Sequence, residues 1–477
     1  MFRNSRTFSK WPVSIGLLAI CISWGSVASE LEAADGGGWS GLQLRLETKM
    51  AALPEDGVVI GDPGRRSLVV LVARAHATAP ELASASARIE SEAARVDRFR
   101  GRLRPNVSVS TELGRGVIDD SGGSSQRLSF RSTAGQITLP LYRPRLNAEL
   151  RGGAVTLEDS RLARREVSNA LTLQLATTYL EVVNLREEIQ FLEQERDLVR
   201  VQQHVNRRRL EGGVGSITEV DESALRLQVV ETQLTTLHHD LHMQLSELRR
   251  QSGEPLADAA RLQESAYIPY FVPTTLVQTQ ERLAKANPTL MRANLAVATA
   301  KLVLVAQSAE HLPVVDLQAY GDIGRSVSDG VYRSSSSTVS LVFSLPLYSG
   351  GSLVAAEREA SAQIVRAEQD RVAIDRGLVS EMTRAWSEFK KFDERIVANT
   401  QALSTAQELA RRTRKSFDAG LRTNIDVLNA QRQISDARKE LSRARSGVLL
   451  SQIRILILMD EIDEEVLRRI DGVFKSR

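Results

Sequence analysis

Apolar side chains in this chain follow two rhythms that alternate along it. Leu171, Leu175, Thr178, Val182, Leu185, Ile189 and Leu192 step by four and three residues. Leu378, Met382, Ala385, Phe389, Phe392, Ile396, Asn399, Leu403, Ala406, Ala410, Thr413 and Phe417 keep the same step. So do two returning segments, Val220, Leu227, Val230, Leu234, Leu237, Leu241 and Leu248, then Val427, Ile434, Ala437, Leu441, Ala444, Val448 and Ile455. A spacing near 3.5 residues keeps one seam turned toward a partner helix and predicts left-handed coiled coils. No proline interrupts the chain from about Leu146 to Leu210 or from about Leu353 to Phe417. Each stretch predicts a helix of roughly 95 Å, where globular helices average about a dozen residues.

The second rhythm has period two. It begins at Pro105-Asn106-Val107-Ser108-Val109 and at Pro313-Val314-Val315-Asp316-Leu317, with polar side chains on one face. Turn-rich Asp119-Asp120-Ser121-Gly122-Gly123 and Ser326-Val327-Ser328-Asp329-Gly330 lead to return strands at about 127–141 and 336–347. Strands of that length suit a tilted membrane barrel. An isolated hairpin is marginal in water, so each must pair with further strands.

The whole pattern is written twice, about 207 residues apart. Leu139-Pro140-Leu141-Tyr142 returns as Leu345-Pro346-Leu347-Tyr348, and Ala79-Pro80-Glu81-Leu82 as Asn287-Pro288-Thr289-Leu290. Leu210-Glu211-Gly212-Gly213-Val214 returns as Phe417-Asp418-Ala419-Gly420-Leu421. The expected organisation is a segment at 1–28, an N-terminal segment 29–63, a first repeat 64–255, a linker 256–274, a second repeat 275–460 and a tail 461–477. The first repeat holds strands at about 105–115 and 127–141 and a long helix at about 146–210. The second holds strands at about 313–324 and 336–347 and a long helix at about 353–417. Residues 29–63 and 461–477 carry no signal of a role.

Charge refines the picture at one end. Lys and Arg total 62 against 59 Asp and Glu. Three of the basic residues, Arg3, Arg6 and Lys10, precede the apolar run Val13–Trp24. Ser26-Val27-Ala28 offers small residues for cleavage, so residues 1–28 read as a signal peptide. The chain beyond Ala28 is then neutral, which excludes a polyanion such as nucleic acid as the expected partner. The sole cysteine, Cys21, sits in Leu18-Ala19-Ile20-Cys21. Ile20 stands where a lipid-attachment motif needs a small residue, so cleavage without lipidation is expected, leaving no disulfide.

The signal peptide, the duplicated helix–hairpin–helix unit, Asn287-Pro288-x-Leu290, the two Leu-Pro-Leu-Tyr strand ends and Gly350-Gly351 together resemble the TolC-like outer-membrane efflux proteins. The resemblance covers roughly residues 64–460. It implies a mainly α, α+β membrane protein, in which the duplicated unit gives long antiparallel coiled helices forming an α-barrel. It also implies a homotrimer, each protomer giving four strands to a 12-stranded β-barrel in the bacterial outer membrane, the helices extending into the periplasm. The implied partners are outer-membrane lipid, a periplasmic adaptor and an inner-membrane pump of ABC or resistance-nodulation-division (RND) type. Arg143-Pro144-Arg145 departs from the Ser349-Gly350-Gly351 of the second copy. It reads as a solvated turn, with phosphate contact at a membrane interface as the other reading.

The helix-to-helix turns hold the candidate site. Gly213 and Gly420 fit the left-handed residue that ends a helix. Ser216 and Thr423 fit caps, with Glu219 and Asp426 in the following first turn, where acids complement the helix dipole. The resemblance adds a gate at the periplasmic tip. Asp426 matches the family's tip aspartate, Glu219 its acidic counterpart in the first repeat, and Arg422 a basic residue that bonds across the tip. It implies adaptor docking at Gly213, Val214, Gly420 and Leu421. Phe417 stands where the family often has tyrosine and Asn429 where it has an acid, so a simpler latch is expected.

His238 and His242 are four apart on a helix, but no Glu completes a zinc-protease motif and Leu237 and Leu241 belong to the seam, so no metal is expected. Gly212-Gly213-x-Gly215 lacks the strand and the Lys-Ser/Thr ending of a phosphate loop, so no cofactor is expected. No catalytic triad or isolated carboxylate pair stands out, and the chain does not read as an enzyme. The expected function is a passive exit duct for drug or metal efflux or for type I protein secretion, the two being undecided. A soluble periplasmic coiled-coil scaffold is the competing class; it keeps the heptads but gives no reason for two matched hairpins.

Overall fold

A computed structural model describes residues 67–119, 125–253, 261–262, 268–327 and 331–475. The expected signal peptide, Cys21 and the segment 29–63 lie outside the described residues, as do the tips of both hairpins and part of the linker. The chain divides into two units, 1–63 and 64–477, and the following concerns the second.

Each repeat opens with a short helix pair, α1 (Leu68–Thr78) and α2 (Pro80–Gly101) in the first, α5 (Leu276–Ala286) and α6 (Pro288–Ser308) in the second. Hairpins follow, β1 (Asn106–Asp119) with β2 (Ser125–Tyr142) and β4 (Val314–Val327) with β5 (Val331–Ser344). The long helices are α3 (Pro144–Glu211) and α7 (Ser352–Asp418), and their returning partners are α4 (Ile217–Ser252) and α8 (Asn424–Leu458). A short strand β3 (Arg261–Leu262) pairs with β6 (Phe474–Lys475), which follows α9 (Glu464–Asp471). At about 1.5 Å per residue, the 68 residues of α3 and 67 of α7 each extend roughly 100 Å.

The heptad seams are buried as a coiled coil requires. Leu175, Thr178, Val182, Leu185 and Ile189 are buried on α3, and Leu378, Met382, Ala385 and Phe389 on α7. Asn399, at a seam position, donates instead to the carbonyl of Glu440 on α8. Asn287 explains the Asn-Pro-x-Leu motif physically. Its side chain accepts from the Leu290 amide at 3.1 Å while its Nδ2 donates to the Leu458 carbonyl at 2.9 Å, satisfying orphan groups at two helix ends. Ala79 at the matching place has no side-chain bond to offer.

The thickest core lies where α1, α3, α4, α7, α8 and α9 converge. The tail, to which the sequence assigned no role, belongs to it. Leu467, Ile470, Val473 and Phe474 are buried, and Phe474 meets the Tyr179 ring edge-on at 5.5 Å. Asp471 accepts from the Leu68 amide at 3.0 Å, which ties the last helix to the first.

The four long strands form one antiparallel sheet in the order β1-β2-β4-β5. The two hairpins share one register: Asn106 opposes Thr138, and Val314 opposes Ser344. Strands β2 and β4 join the repeats, Leu139 opposing Leu317 and Gly135 opposing Gly321. Side chains alternate across the sheet. One face carries Val107, Val109 and Leu113, then Ile137 and Leu139, then Leu317 and Ile323, then Val339, Leu341 and Phe343. The other is mainly polar, with Ser108, Ser110, Gln136, Gln318, Asp322, Ser336 and Ser340. Strands β1 and β5 have unpaired outer edges within the protomer.

The paired Leu-Pro-Leu-Tyr segments differ. The first lies inside β2, with a register shift between Pro140 and Tyr142 where it pairs with β4. The second lies beyond β5, which ends at Ser344, and its Leu347 and Tyr348 are 89% and 88% exposed. β5 has a neighbour on one side only, and Gly350 and Gly351, at φ 60 and 81, turn the chain into α7. Arg143 and Arg145 are not a solvated turn. Arg143 Nε donates to Asp316 Oδ1 at 2.9 Å with a second parallel bond to Oδ2, and Asp316 is 5% exposed. Arg145 donates to Glu149 at 2.9 Å and also pairs with Glu310. Arg143 locks β4 to the start of α3, because a buried carboxylate demands a charged partner, and Arg145 ties α3 to the short turn that precedes β4.

Candidate functional site at the helical tip

Both helix-to-helix turns close with the same backbone device. Gly213 and Gly420 take φ of 78 and 75, a left-handed conformation open to glycine at no steric cost. The Gly213 amide donates to Leu210 and the Val214 amide to Arg209, both at 3.0 Å. The Gly420 amide donates to Phe417 at 2.9 Å and the Leu421 amide to Ser416 at 2.8 Å. This pair of bonds satisfies the last carbonyls of each long helix. Val214 and Leu421 are left 72% and 79% exposed at the turn tips, with Ile217 and Ile425 also exposed.

The caps that follow are unequal. Thr423 and Asp426 form a reciprocal box: the Asp426 amide donates to Thr423 Oγ1, and Asp426 Oδ2 accepts from the Thr423 amide at 3.0 Å and from its hydroxyl at 2.9 Å. Those bonds from the Thr423 amide and hydroxyl hold the Asp426 carboxyl below its ordinary value, and Arg422 adds to the effect. In the first turn Ser216 accepts from the Thr218 amide at 3.2 Å, and Glu219 closes no box. Glu219 Oε2 is buried without a hydrogen-bond partner among the described residues. Arg422 approaches Asp426 of its own turn, at 3.9 Å, and no Arg422–Glu219 pair forms within the protomer among the described residues. Asn429 is exposed beside the second turn.

What ties the two coils together at the tip is a polar ladder. Arg414 on α7 donates to Gln202 Oε1 on α3 at 2.8 Å, and Gln202 Nε2 donates to Asn206 Oδ1 at 3.0 Å. Asn206 Nδ2 then reaches the Glu219 carbonyl on α4 at 3.0 Å, and Ser223 Oγ donates to the same carbonyl at 2.9 Å. Gln202, Asn206 and Ser223 are all buried. Phe417 adds a second tie, with the Arg209 guanidinium 5.2 Å from its ring centre and that of Arg414 at 5.7 Å. Phe417 has no hydroxyl to donate, and these two cations over its ring hold it instead.

Sequence reasoning missed this ladder, although its signal was present. Past Leu192 a second step of three shifts the seam to Glu195, Val199, Gln202 and Asn206, all buried, so the seam turns polar toward the tip. Glu195 is buried there against Arg226 of α4. Asn424, fully buried at the start of α8, has neither side-chain polar atom bonded among the described residues. No cluster of three metal-ligating side chains occurs among the described residues, and His238 and His242 belong to none.

Caps and cross-ties thus hold the two turns together at one end of the coils, and the chain as a whole is similar to known proteins. The profile described as "Outer membrane efflux protein" matches residues 71–254 and 280–459. The alkaline protease secretion protein AprF of Pseudomonas aeruginosa is 27% identical over 402 residues, covering 81% of this chain and 83% of its own. The outer membrane protein TolC of Vibrio cholerae is 23% identical over 408 residues, covering 83% and 91%. Among solved structures, the Campylobacter jejuni CmeC outer membrane channel superposes with a TM-score of 0.73 at 14% identity, covering 86% of this chain and 90% of that one.

Proposed function

The chain belongs to the outer membrane efflux protein family; from that premise we propose a passive exit duct, closed at its periplasmic tip and opened by a partner. It is an outer-membrane channel of efflux or secretion and not an enzyme. The observation that carries the proposal is the join of two features in each repeat. A hairpin with one apolar and one polar face continues directly into a coil of roughly 100 Å. A barrel wall in lipid needs the first, and a tube across an aqueous compartment needs the second.

Three protomers satisfy the open sheet. Free edges β1 and β5 pair between neighbours and close twelve strands, removing the exposed edges. Helix α6 supports this assembly. The stretch Pro288–His311 is apolar enough to span a membrane, yet Asn287 anchors its start to α8 and its end runs into β4. Only 17% of its apolar window is buried in the protomer, which leaves a surface for a neighbouring subunit.

At the tip, Glu219, Arg422 and Asp426 form the gate. Three copies of Asp426 around one axis repel anions and attract cations. Arg422 reaches Glu219 of an adjacent coil, giving Glu219 Oε2 the hydrogen-bond partner it lacks among the described residues. Gly213-Val214 and Gly420-Leu421 receive the periplasmic adaptor, their exposed apolar side chains being the docking contact. An inner-membrane pump, of ABC or RND type, supplies the energy. Planar-bilayer recording tests the gate: Arg422→Gln and Glu219→Gln are each expected to raise closed-state conductance severalfold. Wild-type conductance in both removes these residues from the gate.

A further inference from the structure

Toward the hairpin ends the apolar face of the sheet is crossed by a row of positive charge, with Val117, Val327 and Val331 beyond it. Register places Arg131 opposite Arg325 and Arg325 opposite Arg333, three arginines side by side on adjacent strands with the same parity as Leu139, Leu317 and Leu341. Arg115 stands on that face one row further along, opposite Ser129. All four are exposed. Of the carboxylates on the four strands, Glu112, Asp316 and Asp322 take the other parity, and Asp119, at the end of β1 two rows beyond Arg115, shares that of the arginines. Like charges directly opposite on paired strands repel, so the row is unfavourable unless an anion lies across it.

Its height fixes the kind of anion. The arginine row lies eight residues from the Leu139–Leu317–Leu341 row. That is about 27 Å along a strand and about 20 Å of membrane height at barrel tilt. The row therefore sits near the far edge of the apolar band, toward the hairpin ends away from the helices. A recess of about 460 Å³ opens there, lined mainly by Leu113, Arg115, Ser129, Arg131, Arg325 and Val327. Planar guanidinium forks bind phosphate through two parallel bonds, and the leucine and valine walls of the recess suit the start of an acyl chain.

We propose that Arg131, Arg325 and Arg333, with Arg115, form a binding site for the phosphate groups of a glycolipid headgroup in the outer leaflet. This rests on the outer-membrane barrel reading. The site repeats once per protomer and fixes the depth and rotation of the barrel wall against the leaflet.

The test uses the detergent-solubilised full-chain trimer and diphosphoryl lipid A as probe, with the same lipid stripped of phosphate as comparison. Native mass spectrometry is expected to show retention of the diphosphoryl form at least about tenfold above the stripped form. The triple variant R131Q/R325Q/R333Q is expected to lose that preference, and R131K/R325K/R333K to keep part of it, since lysine retains the charge but not the fork. Equal retention of both lipids by the unmodified protein overturns the proposal, as does displacement of the lipid by millimolar inorganic phosphate. The stripped-lipid comparison needs no variant, so a misfolded variant does not blunt the test. A heat-sensitive trimer band in unheated electrophoresis is read in parallel. Its loss in the unmodified protein counts against the barrel; its presence with no phosphate preference counts against the site alone.

Discussion

Arg414 donates from Nη1 to Gln202 Oε1 across 2.8 Å, fastening the second coil to the first near the tip. Gln202 is 4% exposed and passes the tie to the buried Asn206. Breaking the tie at Gln202 leaves the Asn206 oxygen unpaired in the interior, a penalty of about 1–3 kcal/mol in the closed form. Gln202→Leu keeps the volume and is expected to raise closed-state conductance in planar bilayers, with Arg414→Met doing so more weakly. Combining the two should add little, since both remove one connection. Full additivity would separate the two residues.

Asn287 serves two helix ends, so its loss is expected to cost more than an ordinary cap. Replacing a capping residue by alanine costs about 1 kcal/mol, and an orphaned buried carbonyl about 1 kcal/mol or more. Asn287→Ala should therefore lower unfolding stability by about 2–3 kcal/mol in denaturant titration, with conductance at the tip unchanged. A loss below about half a kcal/mol would mean that water satisfies the Leu458 carbonyl.

The two coils differed in how far the sequence revealed them. Proline-free heptads announced both long helices, because a repeating seam is a local pattern. The polar end of the α3 seam was missed because Gln202 and Asn206 look like surface residues until Arg414 and Ser223 close around them. Arg143 was misread for the same reason: its partner Asp316 is distant in sequence and comes near only through the β2–β4 pairing. The second Leu-Pro-Leu-Tyr repeats the first in letters but not in structure, since β5 is an edge strand and β2 is not. The tail 461–475 gave no periodic signal, being one short helix and one strand residue pair, yet its burial is set by contacts with α1 and α3.

The capping box makes the second turn acid-sensitive. The Asp426 carboxyl is held below its ordinary value of 3.8 by the Thr423 amide and hydroxyl and by Arg422. Its contribution is therefore fully present above 3.8 and is lost as pH falls through the lowered folded value. Protease cleavage near Gly420 should be constant from neutral pH down to about 5 and should rise only in stronger acid. Asp426→Asn should show raised cleavage already at neutral pH. A rise beginning near pH 6 would assign the sensitivity to another group.

Exposed Val214 and Leu421 are expected to contribute to adaptor binding and not to folding. Val214→Ser with Leu421→Ser should weaken site-specific cross-linking to the adaptor about tenfold while thermal stability stays within about half a kcal/mol. Equal cross-linking in the double variant would place docking elsewhere on the coils.

In the trimer, β1 of one protomer is expected to pair with β5 of the next and close the barrel. The shared register of the two hairpins predicts how: carrying the Gly135–Gly321 pairing of β2 and β4 over to β5 and β1 brings Leu341 beside Leu113 of the neighbour. Opposed strand residues lie about 4.5–5.5 Å apart at Cα, within disulfide reach. Cysteines placed together at 113 and 341, with Cys21 replaced by serine, and oxidised in outer membranes should give a covalently closed trimer on denaturing electrophoresis, while either cysteine alone gives monomer. Monomer from the double variant, recovered in the soluble fraction, would contradict the account.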